Sequence, residues 1–230
     1  MWNGRKKAVT FSFDDGVTQD ERAIEILNKY GLKSTFNLNS GLLGTKGAIR
    51  LGEVLVSHNK ISADRAAKVY AGHEVAVHTL THPSLPELDD FTVIRQVEED
   101  RKALVDIFGY PVRGMAYPGG GVNHDERVAE LIRKNTPIRY ARNITSSEDF
   151  RLQSDLMRFR PTAEYTAENL FRLGEEFLAK ETDEPMLFYI WGHTYEMDAG
   201  IISWERFEEF CRFISGDKSV FYGTNAEVLL

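Results

Sequence analysis

Thr10-Phe11-Ser12-Phe13-Asp14-Asp15-Gly16 decides the reading of this chain, because the run from Ala8 to Phe13 ends in two adjacent carboxylates and a turn glycine. The run reads as a buried strand. Two aspartates side by side at its carboxyl end repel each other unless a cation or an arginine stands between them. Taken alone, Asp-Asp-Gly fits equally well a turn that caps the next helix. The residues further along the chain separate the two readings.

Working outward, a helical pattern runs from about Gln19 to Tyr30, with Ala23, Ile24, Ile26 and Leu27 on its inner side and Gly31 as its C-cap. A second strand follows over 33–39. The Gly-rich stretch from Gly41 to Gly52 has weak periodicity and reads as a surface insertion. Helices are expected over 62–71, 92–108 (closed by Gly109), 125–135, 166–180 and 203–215. Strands are expected over 74–77, 112–117, 138–141, 186–191 and 219–222. About seven alternating strand–helix units without a linker predict one α/β domain over residues 1–230, its parallel sheet closed into a barrel.

In such a barrel the reactive groups gather at the carboxyl ends of the strands. Asp14 and Asp15, then His78 and His82, then Tyr117-Pro118-Gly119-Gly120, then His193 each follow a different expected strand. That coincidence moves the weight from turn chemistry to an active site.

The 230 residues, 42% of them hydrophobic, can bury one sizeable core, and a formal charge of -7 without a basic patch excludes nucleic acid as a partner. No apolar stretch approaches the roughly 20 residues that span a bilayer. Met1 to Lys7 leads into the first strand without the apolar core of a signal peptide, so no membrane partner and a cytoplasmic location are expected. Cys211 shares an apolar helical face with Phe207, Phe210 and Ile214 and reads as an inert core thiol. Trp2, Trp204 and Val228-Leu229-Leu230 either cover the barrel or pack at a subunit surface, which leaves the oligomeric state open.

His78-Thr79-Leu80-Thr81-His82 spaces two imidazoles so that one helical turn would present both to a single cation. Asp15 would complete the set. One Asp and two His leave positions open for water and substrate, as in a catalytic site for Zn²⁺ or a similar divalent ion, Co²⁺, Mn²⁺ or Ni²⁺. His73 reads as structural, and His58 and His124 as surface loop residues.

Thr10 to Gly16 together with His78 to His82 resembles the first two motifs of the polysaccharide deacetylases, the NodB-homology domain of carbohydrate esterase family 4. Tyr117-Pro118-Gly119-Gly120 looks like the third motif and Trp191-Gly192-His193 like the fifth. The resemblance implies a distorted (β/α)7 barrel. It also implies Asp15, His78 and His82 as ligands of one divalent ion, Asp14 as catalytic base and His193 as general acid, with an acetylated sugar or oligosaccharide as substrate. The chemistry agrees, because a bound divalent ion brings the pKa of water down to about 7, within reach of a neighbouring carboxylate. A backbone N–H in the turn of Tyr117 and Gly119 would polarise the acetyl carbonyl. Tyr117, Trp191 and Tyr195 are candidates to stack on a sugar ring.

Two departures from the family pattern stand out. Ala116 occupies the place near which the family carries an arginine that keeps the base ionised, and Arg142, at the end of the next strand, is the preferred substitute over Arg113. The fourth motif is not recognisable, which leaves Glu196, Asp149 and Asp155 as candidates to tune His193, and the sequence does not decide among them. The alternative readings are a hydrolase of a non-sugar, cyclic-amide-type C–N bond and a non-catalytic carbohydrate-binding homologue.

Overall fold

The computed structural model describes residues Met1–Leu230. Its first half contains β1 (Lys7–Asp14), α1 (Asp20–Lys29), β2 (Ser34–Leu38), β3 (Ala48–Leu51), β4 (Val54–Ser57), α2 (Ala63–Val69), β5 (Glu74–Val77), α3 (Asp90–Phe108) and β6 (Gly114–Ala116). The second contains α4 (Glu126–Asn135), β7 (Tyr140–Arg142), β8 (Ala163–Glu164), α5 (Leu170–Ala179), β9 (Met186–Gly192), α6 (Tyr195–Asp198), α7 (Trp204–Ile214), β10 (Val220–Tyr222) and α8 (Asn225–Leu229).

The expected alternation is present. It forms one sheet in the order β7-β6-β5-β2-β1-β9-β8, with every pairing parallel. The extended segment around β8 brings the two edges together. Phe159 N–H donates to Ala141 O (3.0 Å) and Asn143 N–H to Phe159 O (2.9 Å) on the β7 side, while Thr162 N–H donates to Tyr189 O (2.8 Å) on the β9 side. The result is the seven-stave barrel of the NodB type. Its distortion has a local cause: β2 pairs with β1 only from Phe11 onward, and β10 takes the lower part of the same edge, at Lys7 to Val9.

The motif Thr-Phe-Ser-Phe-Asp now has a physical reason. Successive strand side chains point to opposite faces. Phe11 and Phe13 pack outward on Phe207 of α7, with ring centroids 6.4 and 5.8 Å apart. Thr10, Ser12 and Asp14 point into the barrel, where they bond Asn225, Asn37 and Arg142. One polar ladder thus runs up the axis and ends at Asp14. Cys211 is buried in the helix-side core, as expected.

At the opposite end Trp2 packs with Ala8, Phe159, Leu187, Tyr189 and Val228, and its Nε1 donates to Val228 O at 3.1 Å. Trp2 and Val228 therefore cover the barrel. Trp204 is tied inside the fold by its Nε1 donating to Asp198 Oδ1 at 2.9 Å.

The stretch from Gly41 to Gly52, expected to be a surface insertion, contains β3, which forms a hairpin with β4 just beyond it, and residues from this region form one wall of the main cavity. β8, α6 and α8 carry no periodic signal because each is five residues or shorter. No helix is long and apolar enough to cross a membrane.

Candidate active site

A cavity of about 590 Å³ opens at the carboxyl ends of the strands, lined among others by Asp14, Asp15, His78, His82, Tyr117, Gly119 and His193. Asp14 ends β1 and remains in strand geometry. Arg142, fully buried at the end of β7, places Nη2 2.5 Å from both carboxylate oxygens, and Asn37 Nδ2 donates to Oδ1 at 2.8 Å. Burial would raise the Asp14 carboxyl, but the Arg142 charge overcomes it and holds the group below its usual range. The guanidinium lies 4.6 Å over the Trp191 ring, which fixes its plane. Arg113, the other candidate, is exposed.

Asp15 turns the other way. Its φ is +82°, a left-handed conformation that costs a non-glycine residue roughly 1–3 kcal/mol, and Gly16 follows at +65°, where a Cβ would meet Leu38 Cδ2 at 2.7 Å. The kink carries the Asp15 side chain away from Asp14 toward His78 and His82. The donor atoms of Asp15, His78 and His82 all lie within 4.8 Å of one another.

The histidine pair is not on a helical turn. It sits on a loop in which Thr79 (φ +67°) and His82 (φ +61°) are also left-handed. The helical reading used spacing alone, and the loop reaches a similar juxtaposition, rings 5.0 Å apart, through backbone strain.

These residues fit a divalent cation. His78 Nδ1 donates to Ala116 O at 2.9 Å, which leaves the Nε2 lone pair free. Burial lowers the His78 pKa to about 4, so the ring is neutral at pH 7, as a ligand must be. The carboxylate of Asp15 is held well below its usual range: burial opposes ionisation, but the His58 hydrogen bond and the Lys60 charge outweigh it.

His193 follows β9. Its Nε2 is 3.9 Å from Asp14 Oδ2, and its Nδ1 meets Glu196 Oε1 at 3.1 Å. Burial would lower its pKa, but the Glu196 hydrogen bond and charge, with those of Asp14 and Asp15, raise it to about 9. Of the three acids considered, Glu196 is the one beside the imidazole. Asp149 and Asp155 pair instead with Arg151 and Arg158.

Tyr117 and Gly119 both reach the cavity, but their backbone N–H groups differ. Tyr117 N–H donates to Arg142 O at 2.9 Å, whereas those of Gly119 and Gly120 have no partner within the protein and are free for a ligand. Tyr117, Trp191 and Tyr195, expected as exposed platforms, are buried wall residues.

Two side chains escaped the sequence reading. His58, expected on the surface, has Nε2 3.2 Å from Asp15 Oδ2, and Lys60 Nζ lies 3.3 Å from Asp15 Oδ1. The one available signal was the apolar run Val54-Leu55-Val56 just ahead of them. His73 is structural, its Nδ1 accepting from Ser34 N–H at 3.2 Å, and His124 packs half-buried against the back of Tyr117.

Comparison with known proteins agrees with this architecture. Residues 3–138 match the profile of the polysaccharide deacetylases, and the chain belongs to that family. A chitooligosaccharide deacetylase of Rhizobium leguminosarum bv. phaseoli is 29% identical over 121 residues, a stretch that covers 52% of this chain and 43% of that protein. The match therefore spans less than half of that relative. Among solved structures, the Xyl-CE4 domain of a multidomain xylanase from the hindgut metagenome of Trinervitermes trinervoides superposes with a TM-score of 0.58 at 17% identity, over 97% of this chain and 89% of that one. A CE4 family pseudoenzyme from Bacillus anthracis superposes with a TM-score of 0.56 at 18% identity, over 98% and 66%. Both share the fold.

Proposed function

We propose that this chain is a metal-dependent deacetylase that removes N- or O-linked acetyl groups from a sugar or oligosaccharide. Asp15, His78 and His82 would hold one divalent ion, Zn²⁺ first, with Co²⁺, Mn²⁺ or Ni²⁺ as the other candidates. The observation that carries the reading is the opposite orientation of two adjacent carboxylates, Asp15 toward the histidines and Asp14 toward Arg142 and His193.

When bound, such an ion supplies Lewis acidity that polarises the acetyl carbonyl and makes water acidic enough to lose a proton near neutral pH. Asp14, kept ionised by Arg142, accepts that proton. The N–H groups of Gly119 and Gly120, which have no partner within the protein, would be the donors to the carbonyl oxygen as it gains charge. His193, protonated below about pH 9, donates from Nε2 to the departing amine or alcohol.

The test is acetate release from a panel of N- and O-acetylated sugars by metal-stripped protein reconstituted with each of the four ions. Release that needs the ion and is lost in Asp14→Asn is the expected result. One ion bound per chain with no release from any sugar overturns it, in favour of a non-sugar amide substrate or a non-catalytic homologue.

A further inference from the structure

The metal-ligating carboxylate has a second oxygen, and a residue of the hairpin insertion holds it. We propose that His58 is a positioning residue of the cation site: it fixes Asp15 Oδ2 and thereby commits Oδ1 to the side of His78 and His82. This inference rests on the cation-dependent reading given above.

Three observations carry it. First, the two Asp15 oxygens have separate partners: His58 Nε2 stands 3.2 Å from Oδ2, and His82 Nε2 stands 3.6 Å from Oδ1. Lys60 shares the Oδ1 side and also donates from Nζ to the Asp15 carbonyl at 2.7 Å.

Second, no side chain other than His58 is hydrogen-bonded to Asp15 Oδ2, while Lys60 and the Asn37 carbonyl hold its backbone. The strand ends at Asp14 and the residue sits at φ +82°, a conformation that persists only where neighbours over-determine it.

Third, His58 is itself rigidly mounted. Its N–H donates to Gly47 O (2.8 Å), and the next residues run beside the segment that follows Asp15, with Thr18 N–H donating to Asn59 O (2.8 Å) and Ile61 N–H to Gly16 O (2.9 Å). Its ring packs edge-on against Tyr195 at 5.0 Å.

A ligating carboxylate is oriented by hydrogen bonds to its remaining oxygen, and loss of such a partner weakens metal binding by about 10–100-fold. The segment that follows β4 would then belong to the metal site.

The experiment measures zinc affinity of the full chain by competition with a chromophoric chelator, for wild type, His58→Ala and His58→Gln, with thermal unfolding of the ion-free proteins as a parallel readout. His58→Ala should bind zinc about 10–100-fold more weakly. His58→Gln, whose Nε2 can donate to the same oxygen, should recover most of that loss, with both ion-free variants unfolding close to wild type. Zinc binding by His58→Ala within twofold of wild type overturns the proposal, and so does equal weakening in both variants, which marks a space-filling role. Wild-type protein that binds none of Zn²⁺, Co²⁺, Mn²⁺ and Ni²⁺ overturns both this proposal and the metal-dependent function. Zinc bound but no acetate released from any sugar would overturn the function alone, since the readout here is binding.

Discussion

Asp14 and Asp15 share a peptide bond and are buried to a similar depth, yet they serve opposite halves of the cavity. Asp14 stays in the strand, faces the barrel axis and meets a guanidinium. Asp15 breaks the strand and meets imidazoles and an ammonium group. A third acid sharpens the contrast. Asp20, wholly buried at the start of α1, accepts hydrogen bonds only from the Thr194 and Tyr70 hydroxyls, at 2.6 and 2.8 Å. Burial raises its carboxyl to about 7 against those bonds, while its two neighbours are held low. Depth of burial is common to all three acids, so the presence of a cationic partner decides their ionisation.

The strongest way to break this comparison is Asp14→Asn. Removal of the proposed base should lower turnover about 10³-fold, within the range for general base catalysis, with zinc still bound at one ion per chain, whereas Asp15→Asn should lose the zinc itself. Acetate release and metal content measured on the same samples distinguish the two, and loss of zinc from Asp14→Asn would end the division of roles.

Next in size is Arg142→Met, which leaves the Asp14 carboxylate buried and unpaired. The expected loss is about 3–5 kcal/mol of unfolding free energy by urea titration, and an unchanged midpoint would show that Asp14 has another counter-charge.

Glu196→Gln tests the acid. In the proposed mechanism His193 works protonated, so activity should be retained below about pH 9 and lost as pH rises through it. Without the Glu196 charge the basic limb should move down by about one pH unit, and the rate at pH 10 should fall about tenfold. A basic limb that stays in place would remove Glu196 from the assignment.

The smallest effect concerns Asp20. Its folded pKa lies above its unfolded value, so the native state retains a proton that the unfolded chain has lost, and stability falls as pH rises from about 4 to 7. The slope is at most about 1.4 kcal/mol per pH unit. Asp20→Asn should flatten that stretch of the stability curve, and an unaltered slope would place the titration elsewhere.

The sequence foretold what local periodicity and strand-end position control. The alternation of strands and helices predicted the barrel, and the rule that reactive groups follow strands brought Asp14, Asp15, His78, His82 and His193 to one cavity, with Arg142 buried behind Asp14. It missed what depends on pairing between distant short segments. His58 and Lys60 follow a four-residue strand in a Gly-rich stretch, whose hairpin is specified by contact with the residues after Asp15 and not by its own pattern. The segment that closes the barrel contains only two residues of regular strand, so no period marks it. Glu196 could be named only among alternatives, because a partner three residues beyond His193 is settled by the turn into α6.

The central place of β1 also bears on how the molecule assembles. Ala8 pairs with Leu187 on one side and with Phe221 on the other, so β1 waits for two strands that are made long after it. Such pairings must close long loops before they are rewarded, which makes folding slow for the size of the chain. Until then β1 exposes the two phenylalanines of its outer face, and the nascent chain is a candidate client for a chaperone until β9 and β10 have been made.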